Sequence, residues 1–400
     1  MRAPRNPNPS PSCSPVLPPL QPKSLVRAQP HFHSSVVPPE KKRARNMSNL
    51  PSHQRAAVVV EKSDNPRFEI QDVPLPQLGP NDVLVQLSVT GICGTDFALA
   101  TGRLGPIRRV LGHEGIGRVV KVGSSLNTND IPLGQRVGIA WIRDVCGRCA
   151  VCLHANGAEN PRCLKQLHSG RKFDGTFAQY TIAPARYLMP LPEGLPDEVL
   201  APILCGGITS YKALKNSGAT PGQFVAISGA GGGVGALSIQ YAKAMGFRVI
   251  AVDAGEPKRQ FCLDLGAETY VNVASERDAA AAVKAATTQG KGAAAVLVAA
   301  GSGAAYNTSL NMLAPFGTLV GIGIPPPDQP MSFHPLQLID FGYRIIGSCT
   351  GTHTDLLEAI EFVERGLVKP STLAAKLDDL NRICRETAQG KVSGKYVIKL

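Results

Sequence analysis

From about residue 201 to residue 345, short apolar runs alternate with stretches of helical period, and such alternation predicts a parallel, doubly wound sheet. The clearest unit is QFVAISGAGGGVGALSIQYAKAMGFRVIAVD. There an apolar β run ends in glycines, and the helix that follows carries Leu237, Tyr241, Ala244 and Met245 on one face. Gly246 closes this helix, where a left-handed residue is favoured. A second β run, Arg248 to Asp253, ends in an acid. Beyond it the pattern predicts a helix from Glu256 with Pro257 near its start. Strands are expected near Thr269 to Val273, at Ala294 to Ala299 and at Thr318 to Ile324.

Strand, glycine turn, helix, strand and terminal acid fall in the order of a dinucleotide-binding βαβ unit. Glycines let the backbone approach a pyrophosphate, and the helix N-terminus offers it free N–H groups. Gly229, Gly231 and Gly235 are spaced G-x-G-x-x-x-G, one residue longer than the usual fingerprint, with Gly232, Gly233 and Val234 filling the turn. Asp253, eighteen positions after Gly235, can accept hydrogen bonds from an adenosine ribose. Its charge would repel a 2′-phosphate, so NAD is expected rather than NADP.

Cysteine placement adds metal chemistry. Cys146, Cys149 and Cys152 have C-x2-C-x2-C spacing and Cys163 follows, a set suited to structural zinc held by four thiolates. An iron–sulfur cluster is the chemical rival, although its usual runs place the fourth cysteine differently. Disulfides are the weaker alternative, because nothing at the N-terminus has the apolar core of a secretion signal. Cys93 stands twenty residues before His113, and Cys205 lies much further along. Three soft ligands from distant loops suit a catalytic zinc, which keeps a fourth position open; scattered core cysteines are the plain alternative.

Composition fits a globular enzyme of 400 residues, 43% hydrophobic and 18% charged, with no apolar run long enough to span a bilayer. The net charge of +12 suggests a nucleic-acid partner until it is divided along the chain. Residues 1–46 carry eight Lys or Arg against one acid, +7, which leaves +5 for the remainder. No basic strip with interleaved aromatics appears there, so neither a nucleic acid nor a membrane is expected as a partner. The tail is Pro- and Ser-rich and should be disordered. Eleven prolines in its first forty residues oppose the amphipathic helix of a mitochondrial transit peptide. A cytoplasmic product, or one starting at Met47, is the first expectation and the mitochondrial matrix the second.

The words GICGTD, GHEGIGRVV, CGRCAVC, DGTFAQY, APILCGGITSYKALK, VAISGAGGGVG, ERGLVKP and SGKYV resemble the zinc-dependent alcohol dehydrogenases of the medium-chain dehydrogenase/reductase family. The likeness spans about residues 55–400 and is nearest the tetrameric, yeast-type branch. It implies a GroES-like, β-rich catalytic domain at 47–200, a Rossmann NAD-binding domain at 201–345, and a return to the catalytic domain at 346–400. It further implies two zinc ions and NAD per subunit, hydride transfer between alcohols and aldehydes or ketones, and a homotetramer or homodimer. Cys93, His113 and Cys205 match the catalytic-zinc ligands, Glu114 an acid beside the metal, and Asp96 a carboxylate behind His113. Thr95 matches the hydroxyl that starts a proton relay, Trp141 and Ile324 the substrate pocket, and Lys258 and Lys395 cofactor contacts.

Departures from the pattern temper the substrate expectation. The relay histidines of yeast-type members are missing at Gly94 and at Ala98 to Thr101, which leaves water, the cofactor ribose or a histidine such as His168 to carry the proton. Ten residues separate Cys152 from Cys163, in a segment holding His154, Asn156 and Gly157, where seven are usual. The segment from Thr101 to Arg109 is short and lacks a tryptophan. A polyol or secondary-alcohol dehydrogenase is therefore the alternative enzyme, and a non-catalytic NAD-binding protein the alternative of another class.

Overall fold

The computed structural model describes residues 50–154 and 160–400. The basic tail 1–46 and the inserted Asn156 and Gly157 lie outside the described residues. No helix among the described residues is long and apolar enough to cross a membrane.

The first half is β-rich. Strands β1 (His53–Glu61) and β2 (Arg67–Pro74) form an antiparallel pair. They are followed by β3 (Asp82–Gly91), β4 (Gly115–Val122), β5 (Arg136–Ile139), β6 (Ile142–Asp144), β7 (Leu167–His168), β8 (Tyr180–Pro184) and β9 (Met189–Pro190). The second half holds β10 (Phe224–Ser228), β11 (Arg248–Asp253), β12 (Thr269–Asn272), β13 (Ala293–Val298), β14 (Leu313–Gly321) and β15 (Arg344–Gly347). Last come β16 (Thr372–Ala375) and β17 (Lys395–Lys399).

Two sheets organise these strands. One is a six-stranded sheet in the order β12-β11-β10-β13-β14-β15, with every neighbouring pair parallel. Its chain order reverses between β10 and β13, which creates a crevice beyond their C-terminal ends, where α/β sheets bind ligands. All five residues of β10 are buried, as expected of a strand covered on both faces. The other sheet runs β16-β17-β3-β4-β5-β9, with β8 also pairing with β3. The end of the chain thus rejoins the first half: β17 lies antiparallel to β3, pairing Val397 with Gly91.

Most of the periodic reading reappears, with two shifts. The strand expected at Thr318 to Ile324 starts earlier, at Leu313, and ends at Gly321. Exposed Phe316, at φ 65°, interrupts the apolar pattern that would have marked its start, while Ile322 to Ile324 turn off the sheet edge into the crevice. The helix expected from Glu256 runs Lys258–Asp264, with Pro257 before its first turn.

One packing arrangement fixes where chemistry can occur. The buried helix Gly206–Asn216 lies against the helix Gly233–Ala244, and Ser238 Oγ donates to Ser210 Oγ at 2.9 Å across the contact. Cys205, which opens the first of these helices, is thereby docked beside the glycine turn that opens the second. The helix His353–Glu364 packs against the same layer, and the Tyr241 hydroxyl donates to the Ala359 carbonyl at 2.9 Å.

Two glycines allow the turn itself. Gly229 has φ 79°, and an added Cβ would lie 2.7 Å from the Ala300 nitrogen. A Cβ on Gly235 would collide with the Gly229 carbonyl. Gly235→Ala must therefore push the helix off the turn, at about 1–3 kcal/mol for overpacking. A lower melting temperature and at least tenfold weaker NADH binding in a fluorescence titration are the expected results; unchanged values for both would contradict this packing.

Candidate active site and metal centres

Register brings the first two candidate ligands together. β3 and β4 pair Thr90 with Gly115, so Cys93, just after β3, and His113, just before β4, leave the sheet at the same end. Asp96 then ties their loops. One carboxylate oxygen accepts from the Cys93 N–H at 3.1 Å; the other accepts from the Gly112 N–H at 3.1 Å and from His113 Nδ1 at 2.7 Å. A carboxylate on Nδ1 fixes the ring's orientation and points Nε2, the nitrogen free to ligate a metal once deprotonated, inward. Cys205 completes the group: its Sγ lies 3.3 Å from His113 Nε2 and 4.0 Å from Cys93 Sγ.

These three residues and Glu114 are all buried, with their ligand atoms within 4.8 Å of one another. Burial opposes charge on His113, yet the Asp96 carboxylate holds its pKa well above the usual value. The thiols share a hydrogen bond, which lowers Cys93 and raises Cys205, so one proton is retained between them. A bound metal would displace that proton and the one on His113 Nε2, since a coordinated thiol ionises outright and a ligating imidazole is neutral. Zinc bonds of about 2.3 Å to sulfur put two tetrahedral thiolates about 3.8 Å apart, close to the sulfur separation here. Two thiols and an imidazole therefore suit zinc in both chemistry and spacing.

Glu114 is fully buried. Its Oε1 pairs with the Lys395 ammonium, and its Oε2 has no hydrogen-bond partner among the described residues. Burial lifts its carboxyl to about 7 against the pull of Lys395, whereas the carboxylate keeps Lys395 charged in spite of burial. Lys395 comes from β17 and runs over the glycine turn, so a Cβ on Gly233 would sit 2.6 Å from its Cγ. The ammonium thus stands between the metal ligands and the pyrophosphate turn.

The second cluster lies between β6 and β7. Cys146 Sγ is 3.9 Å from Cys152 Sγ, and Cys149 Sγ is 4.0 Å from Cys163 Sγ. Backbone N–H groups point at the sulfurs, from Cys152 to Cys149 at 3.4 Å and from Lys165 to Cys163 at 3.4 Å. The Arg148 N–H pulls Cys146 down to about 6, while burial pushes Cys152 up to about 12. Four thiols at the spacing of one tetrahedral ion suit zinc; an iron–sulfur core would need them further apart.

The main cleft, about 500 Å³, opens at the crevice between β10 and β13 and has room for a cofactor. Cys93, Thr95, Gly229, Gly232, Gly233, Val234, Gly235, Asp253, Lys258, Ile324 and Lys395 line it. Gly232, before the helix Gly233–Ala244, supplies no side-chain cap, so the first-turn N–H groups are left for an anion. Asp253 accepts from the Gly231 N–H at 2.7 Å and pairs with Lys258 at 2.9 Å. Turn, open helix end and terminal acid together fit a dinucleotide.

One pocket candidate, Trp141, and one candidate proton carrier, His168, lie outside this cleft, while the other pocket candidate, Ile324, lines it. Trp141 packs edge-on against His113, at 5.5 Å between ring centroids, but walls a separate small cavity. His168, a candidate proton carrier, packs at a tilt against Trp141, 4.6 Å between ring centroids, and is not among the cleft residues. Burial, aided by Arg171 and Lys172, pushes its imidazole down to about 4. The sequence reading missed Thr209, Ala299 to Gly301 and Thr387, all of which line the cleft. The alanines follow β13 and were within reach of the rule that ligands sit beyond strand ends; Thr209 and Thr387 sit in helices whose pattern marks only packing.

Fold and clusters together define a zinc-dependent dehydrogenase. Residues 79–193 match the alcohol dehydrogenase GroES-like domain, and residues 233–365 match the zinc-binding dehydrogenase family. Alcohol dehydrogenase 1 of Emericella nidulans is 40% identical over 355 residues, covering 88% of this chain and 99% of its own. An alcohol dehydrogenase of Geobacillus stearothermophilus is 40% identical over 350 residues, covering 86% and 99%. The acetophenone reductase of Geotrichum candidum, solved with NAD, superposes with a TM-score of 0.75 at 26% identity, covering 88% of this chain and 98% of its own. The chain belongs to the zinc-dependent alcohol dehydrogenase family, and it is an oxidoreductase with zinc and NAD as cofactors.

Distinct losses are expected from the two clusters. Cys205→Ser should remove one zinc per chain and abolish turnover while NADH still binds; full activity would exclude Cys205 from the site. Cys149→Ser should lower zinc content and melting temperature before it affects chemistry, and no change in either would exclude a structural ion there.

Proposed function

We propose that the chain oxidises alcohols, with short primary alcohols preferred, and reduces the corresponding aldehydes or ketones. The observation that carries this reading is the convergence of Cys93, His113 and Cys205 on one point, with Cys93 lining the same cleft as the glycine turn. When bound, zinc supplies a Lewis acid that acidifies a hydroxyl, and NAD⁺ supplies the hydride acceptor. Cys93, His113 and Cys205 would hold the ion, with Asp96 orienting the imidazole. Glu114 stands beside them as the acid able to approach the metal.

Thr95 borders the cleft, with its hydroxyl 3.6 Å from Cys93 Sγ, and there it takes the substrate's hydroxyl proton toward solvent. Gly94 and Ala98 border the same stretch, so the path onward runs through cofactor ribose and water rather than an imidazole there. Lys395 and the open end of the helix Gly233–Ala244 face the pyrophosphate. A lysine provides charge there without the two-pronged grip of an arginine. Asp253 receives the ribose hydroxyls, and Lys258 keeps that carboxylate in place. We assign the cytosol as compartment, with the matrix as alternative if residues 1–46 direct import, and a homotetramer or homodimer as assembly.

The altered relay favours one second reading, a polyol or secondary-alcohol dehydrogenase. NADH formation by the full chain from ethanol, longer primary alcohols, propan-2-ol and sorbitol, before and after chelation, separates the two. Chelator-sensitive oxidation of primary alcohols is expected; activity on sorbitol or propan-2-ol alone would favour the second reading. Thr95→Val should lower kcat by about 10²-fold or more, the scale of general acid–base assistance, with NADH affinity unchanged; retained kcat would remove Thr95 from the proton path. Asp253→Ser should narrow the preference for NAD⁺ over NADP⁺ at least tenfold, and an unmoved ratio would contradict its role.

A further inference from the structure

Glu114 is buried in full, yet only one of its two oxygens is satisfied. Oε1 pairs with the Lys395 ammonium, whereas Oε2 has no hydrogen-bond partner among the described residues. Oε2 rests instead against Gly91, where an added Cβ would collide with it. A buried carboxylate oxygen left unpaired costs free energy, and a partner that reaches it in another state of the protein accounts for the arrangement. Such a partner has a place nearby, because a Glu114 carboxylate oxygen lies within 4.8 Å of the ligand atoms of Cys93, His113 and Cys205.

Lys395 stands between two anionic demands. On one side its ammonium, 5% exposed, meets Glu114, with the Cys93 and Cys205 sulfurs adding to the negative charge around it. On the other its stem crosses the glycine turn and lines the main cleft beside the open end of the helix Gly233–Ala244. Among the residues lining that cleft the only other cation is Lys258, and Asp253 already holds it at 2.9 Å. A pyrophosphate on the turn therefore competes with Glu114 for one ammonium.

We propose that Lys395 couples the two cofactor sites: a pyrophosphate in the cleft draws its ammonium off Glu114, and the released carboxylate turns toward the zinc held by Cys93, His113 and Cys205. Lys395 is thus a positioning residue, acting on the metal through Glu114. Zinc with an open fourth position can accept the released oxygen. Without zinc the same displacement strands a buried carboxylate, which is costly. Pyrophosphate and zinc therefore favour each other, and the coupling is the same from either side. This rests on the assignment of the trio as a zinc site and adds to it a dependence on the dinucleotide.

The test measures how tightly the full chain holds its catalytic zinc, as zinc bound per chain at equilibrium in zinc buffers, without and with saturating ADP-ribose. That probe has the pyrophosphate and no nicotinamide, and equilibrium removes any effect it has on access to the metal. Wild type should bind the catalytic zinc about tenfold or more tightly with ADP-ribose present, an ordinary coupling between two sites. Glu114→Gln keeps the shape and removes the charge, and Lys395→Met keeps most of the stem and removes the ammonium; each should bring the ratio to within about twofold of one. A wild-type ratio below tenfold overturns the proposal, as does a ratio that either variant leaves unchanged. A chain that holds one zinc at most under every condition would overturn the catalytic-zinc assignment itself, and the coupling with it.

Discussion

The Asp96 carboxylate is the constraint on which the site depends. It holds the Cys93 loop with one oxygen and the Gly112–His113 loop with the other, so both loops have one set of positions relative to each other. It also fixes the orientation of the imidazole, so that Nε2 faces the thiols. Without it, burial would drive His113 neutral with no fixed tautomer. With it, three buried ligand atoms from separate parts of the chain meet at one point, where attraction to a dication is screened less than in water.

Burying so many ionisable groups is costly unless the charges are matched. Lys395 supplies part of that match from the last strand, reaching Glu114 across 281 residues of chain. A dication would supply the rest, and two ionised thiols would in turn balance it. Closing the β-rich sheet with β17 is therefore an electrostatic as well as a topological requirement. The same lysine stem lies over the glycine turn, so the metal pocket and the dinucleotide cleft share one cation.

Sequence patterns reveal whatever is local. The glycine turn, the strand ending at Asp253 and the four clustered cysteines are contiguous, and their spacing already implies a dinucleotide and a tetrahedral ion. Cys93, His113 and Cys205 are legible as ligand types, but only family resemblance joins them, because the join is made by the register of β3 on β4 and by a helix docking 112 residues away from Cys93. The Glu114–Lys395 pair has no local signature at all. The surroundings of Trp141 depend on the loop 348–353, which approaches through sheet topology rather than through any local pattern. The strand at Leu313–Gly321 was misplaced for a similar reason: a left-handed Phe316 sits inside it.

The central claim is that the trio oriented by Asp96 holds one zinc and the cysteine lobe a second. An anomalous difference map, collected on both sides of the zinc absorption edge from crystals of the full chain, tests it directly. The account predicts two peaks per chain, one within bonding distance of Cys93, His113 and Cys205 and one among Cys146, Cys149, Cys152 and Cys163. A single peak confined to the cysteine lobe, in crystals of active enzyme, would contradict it.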